Sequence, residues 1–146
     1  AYGRNIAIGY FALHSLNAGG DAYNIAIGHS AGQGISTGLE NVIIGGHAGD
    51  AITTGSGNVV IGRNALSSET TGGNSIVIGT AAMQSATLAD FNIAIGSNAL
   101  QNLAQSSLTH THNVAVGKSA GQAMTSGKLN TLMGGGAVNR QFKIKI

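Results

Sequence analysis

The stretch Asn92-Ile93-Ala94-Ile95-Gly96-Ser97-Asn98-Ala99-Leu100 recurs, with variations, along almost the whole chain. An alanine lies three residues after the glycine of every copy, and an asparagine lies four residues before it in every copy but one, which has Ser75. A repeat of about 20 residues with one strand motif in each copy is typical of a β-solenoid, in which each coil packs on its neighbours. The eight glycines, 17 to 21 residues apart, are Gly9, Gly28, Gly45, Gly62, Gly79, Gly96, Gly117 and Gly134.

Each copy continues from its asparagine into three further residues, as in Asn24-Ile25-Ala26-Ile27. β-Branched residues at alternate positions favour a strand, in which residues i and i+2 share one face. We therefore predict that pairs such as Ile25 and Ile27 point into the solenoid. The residue between them is apolar in all eight copies, so we expect this second column to be covered by another copy of the chain.

The turns of each copy carry their own signals. A glycine at the strand end predicts a positive φ or a close backbone approach, and the alanine predicts a corner with room for one methyl group. Stacked asparagines can pair their amides from coil to coil. A second, polar turn follows, as in Ser36-Thr37-Gly38 and Thr53-Thr54-Gly55, and the copies of unusual length differ at this turn.

Composition predicts an oligomer. The 146 residues include 24 glycines and no proline, cysteine or tryptophan, and only 8% are charged, against about 25% in typical domains. So little charge beside plentiful apolar residues suggests that partner chains cover much of the surface. Without cysteine there is no disulfide framework, and no apolar run reaches the roughly 18 residues of a membrane helix. We expect the chain to be a fragment of a longer protein.

Charge is divided unevenly along the chain. Residues 1–100 contain two arginines and five acids, a net charge of −3, whereas residues 101–146 contain five basic residues and no acid. We interpret the basic end as a solvated end or a docking face for a neighbouring domain rather than a site for an anionic glycan, lipid or nucleic acid. Residues 1–138 are predicted to form the solenoid, and residues 139–146, which alternate apolar and basic from Phe142 onward, a capping or connecting strand.

Two copies carry a resemblance to a known family. The segments Asn5–Leu13 and Asn58–Leu66, with Thr-Thr-Gly between copies, resemble the repeats of bacteriophage tail fibres and are similar to the head repeats of trimeric autotransporter adhesins. The resemblance covers residue 4 to about residue 138. The period of 17 to 21 residues and the alanine after the glycine depart from the adhesin pattern, and both departures favour the phage fibre.

The resemblance implies an all-β parallel solenoid of about eight repeats, assembled as a homotrimeric rod. It further implies attachment to a host cell-surface glycan or outer-membrane protein, contact with other tail-fibre domains, and a place in the virion. An adhesin head on a bacterial surface is the alternative. Neither nucleic-acid binding nor membrane insertion is expected.

His110-Thr111-His112 predicts a metal site. In an extended segment the two imidazoles face the same way, and phage fibre shafts resembling this chain use His-x-His at a three-fold axis. Three chains would then supply six imidazoles to one ion, which suits octahedral iron or another transition metal. The competing interpretation is that this longest repeat bulges into solvent. His14, His29 and His47 are single and out of register, and are interpreted as surface or turn residues.

Receptor contact is expected in the variable turns or at an end of the rod. Tyr10 and Phe11 occupy the outward slots between the strand-ending glycine and the alanine, where an exposed aromatic pair could stack on sugar rings. Packing of this pair against a neighbouring chain is the alternative.

Enzymatic alternatives are weak. A polysaccharide depolymerase needs a carboxylate pair about 5–10 Å apart, and Asp21, Glu40, Asp50, Glu69 and Asp90 are interpreted as solvated turn acids, so no enzyme is predicted. The segment around Lys118 belongs to the repeat and is not a phosphate loop. An ice-binding solenoid would need an outward Thr-x-Thr column, which the strand motif lacks.

Overall fold

The computed structural model describes residues 3–137, which form stacked coils of parallel β-structure without a helix. Eight strands form the main sheet in the order β1-β2-β3-β4-β5-β7-β9-β10, and each pairs in register with the same motif of the next coil. The predicted β-solenoid is thereby confirmed. The main-sheet strands are β1 Ile6–Ile8, β2 Ile25–Ile27, β3 Val42–Ile44, β4 Val59–Ile61, β5 Ile76–Ile78, β7 Ile93–Ile95, β9 Val114–Val116 and β10 Thr131–Met133.

The predicted facing of these strands is wrong. The central residue of each inner strand, such as Ile43 or Val60, is 0% exposed, whereas its two neighbours face outward and are partly exposed. The inward face of the strand begins with the asparagine, because Asn41 and Ile43, two residues apart, are both 0% exposed. In-register neighbours about 4.8 Å apart shield each other along the two outer columns, which leaves those side chains only partly exposed although they point away from the core.

The interior is completed by the corner after each glycine. The alanine column is buried there, with Ala31, Ala48 and Ala65 all 0% exposed, as the one-methyl corner predicted. Where the residue four positions after the strand-ending glycine is itself a glycine, the residue seven positions after it is large and buried, as in Gly32 with Ile35 and Gly49 with Ile52. A Cβ added at Gly49 would lie 2.9 Å from Cδ1 of Ile52, three residues on.

The predicted asparagine ladder is present. Asn24, Asn41 and Asn58 are fully buried, and each oxygen accepts the backbone N–H of the equivalent residue in the next coil at 2.9–3.1 Å. Their side-chain N–H groups donate to carbonyls of the second turn at 2.8–3.0 Å, as from Asn41 to Gly55. The amide of one residue therefore joins the start of each strand to the turn that precedes the next strand.

The strand-ending glycines satisfy both predicted conditions. Gly62 has a φ of 137°, and a Cβ there would lie 2.5 Å from the carbonyl oxygen of Gly79 in the next coil. Positive φ extends further than the sequence indicated. A positive φ recurs two residues after the strand-ending glycine and five residues before it. Within residues 3–137 nineteen non-glycine residues have a positive φ, and Phe91 and His112 are among them.

The extra residues of the longest repeat lie in the second turn, as predicted. They form β8 (Ala104–His110), which pairs in parallel with β6 (Thr87–Asp90) to make a separate two-stranded sheet. We call β6 and β8, together with Phe91 and residues 111–112 that follow them, the histidine arm. Residue 138 and the predicted cap over residues 139–146 lie outside the described residues.

Candidate functional surfaces

The outward columns of the main sheet form a continuous apolar surface. We call this surface, made by the first and third residues of the eight main-sheet strands, the apolar face. Fourteen of its sixteen positions are isoleucine or valine, and Thr131 and Met133 are the others. Seven spacings of about 4.8 Å make the face about 34 Å long.

Exposure of the apolar face is greatest toward its ends. Ile8 is 59% exposed and Met133 67%, and even in the middle Ile76 is 38% exposed. Monomeric soluble proteins rarely expose contiguous apolar patches larger than a few hundred Å², and larger patches mark contact sites. The arrangement corrects the predicted geometry of oligomer contact: two columns of branched side chains, rather than the single central column, are available to a partner.

The two histidines of the predicted metal site lie together on the histidine arm. Their ring centroids are 6.1 Å apart, and Thr111 between them is buried, so both imidazoles project outward. His112 has a φ of 49° and is therefore not extended as the spacing argument assumed. Phe91 contacts both rings, stacking on His112 at 5.1 Å and meeting His110 edge-on at 4.9 Å.

Asp90 fixes one of these rings. Its Oδ2 lies 3.1 Å from Nδ1 of His110, and its Oδ1 accepts the backbone N–H of Gly73 at 2.9 Å. A carboxylate only accepts hydrogen bonds, so Nδ1 of His110 is the donor, which leaves Nε2 as the ring atom that could bind a metal. Metal-binding histidines commonly have such a carboxylate partner. The sequence alone did not reveal Asp90 and Phe91 as neighbours of His110.

The predicted receptor pair is exposed as expected. Tyr10 is 65% and Phe11 39% exposed, with ring centroids 4.0 Å apart. Tyr10 stacks on His29 at 5.5 Å, and His29 lies 5.0 Å from His47 in the following coil. We call Tyr10, Phe11, His14, His29 and His47 the ring ladder. Its histidines are exposed, as predicted, but their interpretation as isolated residues is wrong.

The acidic residues differ in their exposure to solvent. Asp21 and Glu40 are exposed, but Glu69 is 0% and Asp90 7% exposed, so the interpretation of these two as solvated is wrong. Glu69 lies inside the solenoid, seven residues after Gly62, where other coils have Ile35 or Ile52.

Five backbone N–H groups surround the Glu69 carboxylate. Oε1 accepts from Thr70, Thr71, Gly72 and Leu88 at 2.8–3.2 Å, and Oε2 accepts from Ala89 at 2.9 Å. The carboxylate therefore joins two successive coils, at the point where the Thr-Thr-Gly turn of one is followed by Thr87-Leu88-Ala89 in the next.

A single copy of residues 3–137 brings together no group of three or more histidine or acidic side chains able to hold a metal ion. The same residues contain no helix long and apolar enough to cross a membrane. Comparison with known proteins adds no relative: no family model, no curated protein and no solved structure matches this chain.

Proposed function

We propose that the chain is a rod-forming segment of a trimeric phage tail fibre that attaches to a host cell surface. The single observation that carries the proposal is the apolar face. Its branched side chains repeat at the spacing of successive coils. A second copy of the apolar face has the same spacing, so the side chains of the two copies can pack against each other. Three copies arranged around an axis that runs along the stacking direction of the coils would bury the apolar face along its whole length. The turns would then lie on the outside of the trimer.

Low charge supports the same arrangement. Only 8% of the residues are charged, and the outward positions of β2, β3, β4, β5, β7 and β9 are all isoleucine or valine. An interface core depleted of charge is typical of permanent assemblies. The resemblance to tail-fibre repeats supports three copies rather than two.

Cysteine cross-linking tests which face meets its copy, because the natural sequence has no cysteine. With Ile61→Cys, a short bismaleimide reagent is expected to join chains into covalent dimers on a denaturing gel. Val60→Cys, one residue away but 0% exposed, and Ser68→Cys on an exposed turn are the matched controls. Linked chains with Ser68→Cys but not with Ile61→Cys would contradict the proposed interface.

Attachment is tested separately with fluorescently labelled protein and whole bacterial cells of both envelope types. The proposal predicts sedimentation of label with cells of at least one type, and competition by an excess of unlabelled protein. Binding that is not reduced by unlabelled protein would show adsorption without a receptor.

We further propose that His110 and His112 of three chains hold one transition metal ion on the shared axis. Asp90 would orient His110, and the ion would supply a permanent cross-link between chains. His112 lies two residues before Val114 of the apolar face, so assembly through that face would bring the histidine pairs of different chains near one another.

A further inference from the structure

Within residues 3–137 the ring ladder is the larger of two groups of contacting exposed rings, and the proposed assembly through the apolar face does not use it. Tyr10 directly follows Gly9, which ends the strand motif, so the ladder lies at the corner beside the apolar face rather than on it. At the two positions after the glycine, later coils carry small or polar residues, such as Thr80 and Ala81 or Ser97 and Asn98. The rings are therefore a local addition to the repeat and not part of its packing.

The rings are held in place by the rigid corner. Phe11 and His47 have positive φ values of 58° and 55°, which the hydrogen-bonded coils impose on them. The Ser30 hydroxyl lies 3.2 Å from Nδ1 of His29, and Asp50 Oδ2 lies 3.2 Å from Nδ1 of His47. These two contacts restrict the imidazoles of His29 and His47, so less side-chain freedom is lost when a ligand stacks on them.

The charge around the ladder identifies the kind of ligand. Within residues 3–79 the lysines and arginines are Arg4, which already contacts Asp21 at 3.3 Å and the ring of Tyr23, and Arg63, which directly follows Gly62 in the coil after His47. Single-stranded nucleic acid needs a positively charged groove beside its stacking rings, and the carboxylate of Asp50 would repel phosphate. The ladder thus combines ring faces with polar edges, and the charge of Arg63 in the adjoining coil is matched by that of Asp50, so this corner has no basic groove for an anionic ligand.

We propose that the ring ladder is a carbohydrate-binding site for neutral pyranose sugars. The apolar C–H face of a pyranose stacks on Tyr10 and on the imidazole rings, while its hydroxyl groups reach the Tyr10 hydroxyl, the imidazole nitrogens and the Asp50 carboxylate. Two coil spacings of about 4.8 Å give the ladder a length of about 10 Å, enough for more than one sugar ring. This inference rests on the proposed attachment role and assigns its ligand to a surface glycan.

Saturation-transfer NMR tests the site with the methyl glycosides of glucose, galactose, mannose and N-acetylglucosamine. At least one is expected to receive saturation at its ring C–H protons. Tyr10→Ala combined with His29→Ala should weaken that binding about ten-fold or more. Tyr23→Ala, which removes another exposed tyrosine outside the ladder, should leave it unchanged. The double variant is expected to fold because other coils carry Gly46 or Ser97 at the equivalent position.

Three results would overturn the carbohydrate site: no saturation of any of the four glycosides, undiminished binding by the double variant, or tighter binding of an oligodeoxythymidine than of the sugars. The mass of the double variant in solution separates this inference from the proposed rod. A trimer that binds no sugar would remove the carbohydrate site alone, whereas a monomer that binds sugar would remove the rod alone.

Discussion

The side-chain oxygen of Asn41 accepts two hydrogen bonds from Asn58 of the next coil, one from the backbone N–H at 3.0 Å and one from the side-chain amide at 3.2 Å. Each ladder asparagine thereby satisfies the backbone of its neighbour as well as its own amide. Buried polar groups of this kind stabilise a structure only when all of them are paired. The ladder consequently sets the spacing and register of the coils.

Replacing Asn58 with alanine should destabilise the solenoid by about 3 kcal/mol, because the buried Ser75 N–H and Gly72 carbonyl both lose their partner. Urea unfolding at a fixed protein concentration measures the change. Asn102→Ala, at an exposed position, is the control and should change stability by less than about 0.5 kcal/mol. Equal effects of the two substitutions would show that the ladder contributes no stability.

Glu69→Gln should destabilise the protein by about 2 kcal/mol or more. The amide group of glutamine can accept through only one of its two terminal atoms, so at least one of the five N–H donors is left facing another donor inside the core. Glu40→Gln makes the same chemical change on the surface and should alter stability by less than about 0.5 kcal/mol. Thermal and urea unfolding of the two variants provide the comparison. A neutral result at Glu69 would argue that water, not the carboxylate, satisfies those N–H groups.

Gly62→Ala should destabilise the fold by about 3 kcal/mol or more, because the added methyl group would lie 2.5 Å from the Gly79 carbonyl oxygen at a φ of 137°. At Gly46 an added Cβ meets nothing within 4 Å, and Gly46→Ala should be nearly neutral. Circular dichroism melting curves distinguish the two. If Gly62→Ala has the same melting temperature as the parent protein, the close approach of successive coils at this glycine would be refuted.

The purified protein should contain about one third of an equivalent of iron, nickel or zinc per chain, as six imidazoles on one ion require. Elemental analysis after metal loading and desalting measures it, and His110→Ala with His112→Ala should abolish it. His29→Ala with His47→Ala removes another adjacent pair of histidines and should retain the metal. Metal lost equally from both double variants would indicate nonspecific imidazole binding.

The repeat made the fold predictable, because the same glycine, alanine and asparagine recur at fixed offsets and each has one physical explanation. The facing of the strands was not predictable from periodicity. Ile25, Ala26 and Ile27 are all apolar, and alternation cannot assign an inner face when both faces are apolar. The structure places the middle residue inside, on the same face as the buried asparagine two residues before it, as in Asn24 and Ala26.

The functional surfaces were only partly predictable. Tyr10, Phe11, His110 and His112 could be singled out from their types, and all four lie on the outside. Their partners could not, because His29, Asp90 and Phe91 are about one or more coils away in sequence and meet them only after stacking. Glu69 was misassigned for the same reason: its sequence resembles a polar turn, and its N–H donors come partly from the next coil.

Light scattering of the purified chain tests the central claim, that the apolar face joins identical chains, most directly. The account predicts a mass near three times 14.5 kDa. It also predicts a mass near one chain, with the β-structure retained in circular dichroism, when Ile44→Lys and Ile61→Lys place two charges on the apolar face. A monomeric parent protein, or a lysine variant that still forms trimers, would contradict it.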